Sequence, residues 1–254
     1  MNIRIATWNI DRAKKPALVI DKISSVSPHL LVITEASHTI DLSPQYGCIQ
    51  SKEFERYKGS PWITIWTRWK ILEQVTTFNA YRTACCLVES PIGPVLVYGT
   101  IIPYQMAGVN GNRYLEKGKR AWQMHMEDIL LQSRDWSIIT SNYPDVPLIV
   151  AGDFNQTRDG KGRGYGTSEG RKVLTRELLK NNLQCVTEVD FAATGHLNQH
   201  PITGKTRRNI DHICITCDLC SRYDMEVGAW DNFTSDGKLM SDHNGVYVDM
   251  SLNV

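Results

Sequence analysis

Asn9, Glu35, the pair Asp153 and Asn155, and the pair Asp242 and His243 each close or flank a short apolar run: IRIATWN, LLVITE, PLIVAGDFN and SDHNGVYV. Such runs make strands, so polar groups far apart in sequence would gather at the ends of neighbouring strands, the layout of a catalytic pocket. Carboxylates a few ångströms apart repel by about 4 kcal/mol per pair at an effective dielectric of ~20, so the cluster calls for a cation. The chemistry this implies is a divalent metal beside a general base.

In GDFN an extended backbone would send Asp153 and Asn155 to one side, about 6 to 7 Å apart, and Phe154 to the other. Gly152 lets the chain or a ligand come close. An aspartate of pKa about 3.9 is a weak base toward ordinary water of pKa about 15.7, whereas cation-bound or phosphate-positioned water is far easier to deprotonate. Glu35 is the natural metal ligand, with Asp11 and Asp242 as direct or water-mediated partners. These hard oxygens favour Mg2+ or Mn2+ over Zn2+. Asp242 and His243 would face opposite sides of a regular strand, so both serve one site only if this segment is irregular, which Ser241 and Gly245 permit. His243 could then donate hydrogen bonds to a pentacovalent phosphoryl group, with Asp211 of RRNIDH holding its ring and its proton. Taken singly, each residue reads equally well as a turn or cap; their order and shared placement at strand ends carry the argument.

The elements that must position these groups are eight apolar runs of strand length, at 2–8, 30–34, 62–66, 84–89, 94–100, 147–152, 210–216 and 244–250. Between them the sequence predicts helices over 16–25, which opens on a proline, over 112–133, and over 168–181 behind a cap at Thr167 or Ser168. Helices separated by one or more strands, and the hairpin across SPIGP, predict two mixed sheets packed face to face and covered by helices. Residues from 9 to 243 can meet only within one fold, so the whole chain, 1–254, is expected to form one domain.

With 42% hydrophobic and 22% charged residues the composition is that of an ordinary soluble globular protein and gives no sign of disorder. A net charge of +1 supplies no global field toward nucleic acid or membrane, so a polyanionic substrate must meet local basic patches. Three stretches qualify: Arg113 with Lys117, Lys119 and Arg120; Lys161 and Arg163 with Arg171 and Lys172; and Lys205 with Arg207 and Arg208. No apolar run approaches the ~20 residues of a membrane span, and the chain opens directly on a strand pattern, so a cytosolic monomer is expected. Seven cysteines, an odd number without secretory context, are expected as thiols. Cys214, Cys217 and Cys220 have zinc-like gaps, but no fourth ligand follows.

Together TWNID (7–11), ITEAS (33–37), VYGTIIP (97–103), VAGDFN (150–155), NIDHI (209–213) and SDHNGV (241–246) resemble the ordered motifs of the endonuclease/exonuclease/phosphatase superfamily. That superfamily includes deoxyribonuclease I, apurinic endonucleases, inositol polyphosphate 5-phosphatases and deadenylases. The resemblance spans nearly the whole chain. It implies an α/β fold, a four-layer α-β-β-α sandwich of two mixed, mainly antiparallel sheets, and Mg2+-dependent hydrolysis of a phosphoester by water.

Carried over motif by motif, the resemblance gives Asn9 a phosphate oxygen or the aspartate to hold, Glu35 the metal, and Asp11 and Asp242 a supporting part in the metal site. Asp153 would activate water, aided by Asn155, and Asp211 would orient His243. Two departures narrow it. Thr100 and Ile101 stand where relatives carry a His or Tyr near the proline, leaving Tyr104 as the candidate second phosphate contact. Arg207 or Arg208 replaces the aromatic of the abasic pocket, which argues against abasic-site cleavage. The expected function is hydrolysis of a phosphodiester, first of all in nucleic acid; the alternatives are a phosphomonoesterase on an inositol, lipid or small-metabolite phosphate, or a non-catalytic binding module.

Overall fold

A computed structural model describes residues 2–54, 58–110, 116–162 and 164–252. The chain runs β1 (Asn2–Asn9), a 3-10 turn at Asp11–Ala13, α1 (Pro16–Val26), β2 (Leu30–Thr34), β3 (Gly47–Gln50), β4 (Ile63–Thr67) and β5 (Lys70–Val75). It continues through β6 (Thr83–Ser90), β7 (Gly93–Ile101), α2 (Gln123–Asn142), β8 (Leu148–Asp153) and α3 (Ser168–Lys180). The last elements are β9 (Leu183–Cys185), β10 (Asp211–Thr216), α4 (Cys217–Arg222), β11 (Tyr223–Trp230) and β12 (Gly245–Leu252).

Two six-stranded sheets result, ordered β11-β12-β1-β2-β4-β3 and β5-β6-β7-β8-β10-β9. Both have one parallel pair at the centre, β1 with β2 and β7 with β8, flanked by antiparallel neighbours. The alternation of each central strand divides its side chains between two layers. In β8, Ile149 and Ala151 pack between the sheets while Leu148 and Val150 meet α2 and α3. In β1, Ile3 and Ile5 point between the sheets while Ala6 and Trp8 face the layer of α1. The four layers are thus helix, sheet, sheet and helix, as expected.

The eight expected strands are all present. Four more, β3, β5, β9 and β11, are the outermost strands of their sheets, where polar solvent-facing residues interrupt the apolar signal. The helix expected at 112–133 instead occupies 123–142. Gly118, at φ 82°, and Trp122, at φ 66°, interrupt the earlier stretch. The helix's inner face includes His125, Asp128, Gln132, Ser133 and Asp135, so its apolar period is faint. Thr167 is the cap of α3, its side chain accepting from the Gly170 amide. All seven cysteines are free thiols. Among the described residues no helix is long and apolar enough to cross a membrane.

Candidate active site

The inward faces of β1, β8 and β10 end in polar groups. Ile3 and Ile5 give way to Asn9, Ile149 and Ala151 to Asp153, and Ile215 and Ile213 to Asp211, so the core between the sheets turns polar at one mouth. Asp153 and Asp211 lie opposite one another in the β8–β10 register. The adjacent Phe154 amide donates to the Ile210 carbonyl at 3.0 Å, which makes Asp153 and Asp211 a non-hydrogen-bonded pair, the kind whose side chains approach most closely. Gly152 allows this packing: at φ 148° any Cβ there would lie 1.8 Å from the Thr100 carbonyl oxygen of β7.

Two carboxylates so placed repel, and the surroundings answer with donors. Asp153 Oδ2 accepts from Asn9 Nδ2 at 3.1 Å and Asn155 Nδ2 at 3.0 Å, and Oδ1 accepts from the Asn155 amide at 2.8 Å. Asp211 accepts from the Asn9 amide at 3.0 Å and from His243 Nδ1 at 2.6 Å. His243 is fixed from behind: its amide donates to Ser241 Oγ at 3.0 Å, and its carbonyl accepts from Trp8 Nε1 at 2.8 Å. With Nδ1 engaged, Nε2 lies 3.8 Å from Asp242 Oδ1.

Burial, reinforced by Asp211 and opposed by His243 and the amide donors, pushes Asp153 up to about 7. Burial would lower His243, yet Asp211 and Asp153 outweigh it and carry the imidazole up to about 9. At neutral pH the pair therefore offers an aspartate near its titration point beside a protonated histidine, the separation of roles that acid–base chemistry needs.

The groups open onto a cavity of about 490 Å3 whose wall includes Glu35, Asp153, Asn155, Asp242 and His243, with Tyr104, Arg207 and Arg208 farther round. Glu35 and Asn155 both have positive φ, 44° and 50°, where the chain turns sharply out of β2 and β8. That turn draws Asn155 into direct hydrogen bonding with Asp153, closer than the extended geometry expected from sequence. Asp153, Asp211 and His243 each bring one ligand atom within 4.8 Å of the others, a set able to hold a metal ion. Within this set only His243 Nδ1 and Asp211 are bonded to each other. Glu35 and Asp242 present carboxylates to the same cavity, no thiol lines it among the described residues, and this hard-oxygen set suits a divalent cation.

No family model and no curated protein matches the chain. Solved structures do. The chain is similar over 99% of its length to an AP endonuclease from Archaeoglobus fulgidus, with TM-score 0.68, 14% identity and 100% of that chain covered. Over 99% of its length it also resembles the endonuclease domain of TRAS1, a telomere-specific non-LTR retrotransposon, with TM-score 0.64, 14% identity and 99% of that chain covered. The human nocturnin catalytic domain aligns with 99% of this chain and 95% of its own, at TM-score 0.64 and 17% identity. The chain has the endonuclease/exonuclease/phosphatase fold.

Within that fold the residues singled out from sequence fall into three groups. Asn9, Asp153, Asn155, Asp211 and His243 form one bonded cluster, and Glu35, Asp242, Tyr104 and Arg207 share the cavity above it. Arg208 also lines the cavity, but its guanidinium is engaged by Asp159, at 2.6 Å through Nε. Asp11 is not on the cavity wall: at φ 46° its carboxylate turns to Lys14 Nζ at 2.5 Å, while its amide donates to Asn9 Oδ1 at 3.0 Å. Arg113 and Arg163 lie outside the described residues.

Sequence reasoning gives no part in the site to Arg12 or Asn209, and to Ser241 only that of permitting an irregular segment before β12. Arg12 lies 3.9 Å from Glu35, rests 4.6 Å over the Trp62 ring, and donates to the carbonyls of Ser60 at 2.6 Å and Pro61 at 2.8 Å. Its only sequence signal is adjacency to Asp11 in WNIDR. Ser241 Oγ donates to the Asn9 carbonyl at 2.5 Å, joining the segment before β12 to the end of β1. Asn209 side-chain atoms bracket the Asp211 backbone, bonding both its amide and its carbonyl.

Proposed function

We propose that the protein is a Mg2+-dependent phosphodiesterase that hydrolyses a phosphodiester, in nucleic acid, by direct attack of water. The observation that carries this reading is the joining of Asp153, held by three donors, to the Asp211–His243 pair in one open cavity. Two of the similar structures are endonucleases, which favours a diester in nucleic acid as the substrate.

Asp153 takes the proton of the attacking water, while Asn9 and Asn155 hold its carboxylate in one orientation. His243, kept protonated by Asp211, places Nε2 where charge develops on the phosphoryl oxygens. Glu35 and Asp242 are the residues that would hold Mg2+, with Mn2+ the alternative; when bound it supplies charge neutralisation and a lowered pKa for coordinated water. The water oxygen forms a new P–O bond as the ester P–O bond opposite it breaks, and the departing alkoxide takes a proton from solvent, so no covalent intermediate forms. Tyr104 and Arg207 line the same cavity and would meet the substrate's flanking groups.

The test is hydrolysis of an oligonucleotide with Mg2+ and with chelator, run beside release of inorganic phosphate from monoesters. Chelator-sensitive diester cleavage that is lost in Asp153→Asn is the expected result. Cleavage indifferent to chelator, or turnover of monoesters alone, defeats the assignment.

A further inference from the structure

A second cavity, of about 500 Å3, adjoins the first. Thr157 lines both, and Arg208, on the wall of the first, bonds Asp159 at 2.6 Å. Arg208 faces the active-site cavity and donates to the carbonyl of Lys161, whose residue lines the second one, at 3.2 Å. Five cationic residues, Arg158, Lys161, Arg171, Lys172 and Arg176, line this second cavity against one acidic residue, Glu188. The whole chain carries only +1, so the excess is local.

The partners separate structural cations from available ones. Arg158 pairs with Glu188 at 2.8 Å, Lys161 with Asp190, and Arg176 with Glu177 at 2.9 Å. Among the described residues no carboxylate pairs with Arg171 or Lys172, neighbours on the first turn of α3. Arg171 donates only to backbone, to the Tyr165 carbonyl at 3.3 Å and the Gly162 carbonyl at 3.4 Å. Tyr165 itself lines the active-site cavity, so the loop that Arg171 holds is the one that bounds the site.

We propose that this groove binds the backbone phosphates of a nucleic-acid strand whose scissile linkage lies in the neighbouring cavity, with Arg171 and Lys172 as the phosphate contacts. The proposal rests on the phosphodiesterase reading and extends it: the substrate is a strand that continues past the cleaved linkage, because a compact phosphate ester filling the first cavity would leave the second unused. Sequence readout is not implied, since cations meeting phosphates set affinity and register rather than base preference.

The experiment measures anisotropy of a labelled single-stranded oligonucleotide of about twelve nucleotides, in chelator, across a salt series. Each cation removed should lower the slope of log Kd against log salt by about 0.7, so Arg171→Gln with Lys172→Ala should lower it by about 1.4 and weaken binding roughly tenfold at low salt. Lys172→Glu, on an exposed helix position, should weaken binding further, and Lys172→Arg should restore it. With Mg2+, the wild-type KM should fall as the strand lengthens from a dinucleotide, and this advantage should vanish in Lys172→Glu. An unchanged salt slope, a length advantage that survives Lys172→Glu, or displacement of the strand by a compact inositol polyphosphate at equal phosphate concentration would overturn the groove. Mg2+-dependent cleavage of a dinucleotide beside an unchanged slope removes the groove and leaves the catalytic reading intact. Absence of diester cleavage at any length removes both.

Discussion

Among the described residues, buried charge beneath α2 can be set against buried charge at the mouth between the sheets. Beneath α2, Asp128 accepts from Arg82 at 2.6 Å and from Gln132 at 2.8 Å, and Gln132 in turn accepts from Thr100 at 2.7 Å. Asp135, one turn of helix farther, accepts from Tyr98 at 2.8 Å and from the Phe78 amide at 3.1 Å. In that cluster a carboxylate meets a guanidinium and the remaining donors are neutral. At the mouth between the sheets, by contrast, two aspartates face each other across β8 and β10 with one imidazole to share, and Glu35 and Asp242 line the same cavity. Burial of charge alone therefore does not mark the site. An unbalanced set of carboxylates, opened to solvent on one side, does.

The largest expected effect breaks the comparison at its chemical end. Asp153→Asn should cut turnover by about 10^2 to 10^4, equivalent to roughly 3 to 5 kcal/mol of barrier, while leaving thermal stability unchanged or raised, because one of two facing carboxylates is gone. Steady-state kinetics beside thermal unfolding would check this, and a variant that loses stability while keeping its rate would make the cluster structural. Asp128→Ala should do the reverse. It removes one member of a buried ion pair closed at 2.6 Å, so denaturant unfolding should shift strongly while turnover per folded molecule stays within a few-fold of wild type.

The two clusters also differ in how far the sequence announces them. Asn9, Asp153 and Asp211 extend the alternating apolar pattern of central strands, so the pattern that locates β1, β8 and β10 also places their polar ends. The second cluster sits inside a helix and resembles an ordinary polar face; Asp128, Gln132 and Asp135 turn inward only because Arg82, Thr100 and Tyr98 wait on β6 and β7 or just before them. That same polar inner face displaced the expected helix by about ten residues from its observed position. Edge strands such as β5, KILEQV, escaped for a related reason, since one exposed face removes the apolar run. Asn155 shows the limit at the site itself: its residue type was legible, while the positive φ that brings it onto Asp153 depends on the carbonyl of Ile102, to which it donates at 2.9 Å.

Two buried histidines sharpen the contrast. His243 is held charged by Asp211 and Asp153, whereas burial lowers His125, at the start of α2 and bonded to the Pro103 carbonyl at 2.7 Å, to about 4. Its folded pKa lies below the unfolded value of 6.5, so the unfolded chain takes up a proton first as pH falls. Stability from this group is unaffected above about pH 6.5 and declines between about 6.5 and 4, by about 3 kcal/mol in all. Unfolding of wild type and His125→Asn at pH 7 and near pH 4.5 should therefore show a smaller acid loss in the variant; equal losses would mean that His125 takes up its proton in the fold.

The smallest effect concerns the carboxylates that face the cavity. Arg12 lies 3.9 Å from Glu35 and also donates to the carbonyls of Ser60 and Pro61, whereas Arg82 meets Asp128 at 2.6 Å. Glu35 and Asp242 line the cavity in which a divalent cation would be held. Glu35→Gln keeps the shape and removes the negative charge, so the Mg2+ concentration giving half-maximal rate should rise at least about tenfold, with a smaller loss of turnover at saturation than in Asp153→Asn. A titration in which the rate drops but the Mg2+ midpoint stays fixed would assign Glu35 to holding Arg12 against Trp62, and would move the metal onto Asp242 and the Asp153–Asp211–His243 group.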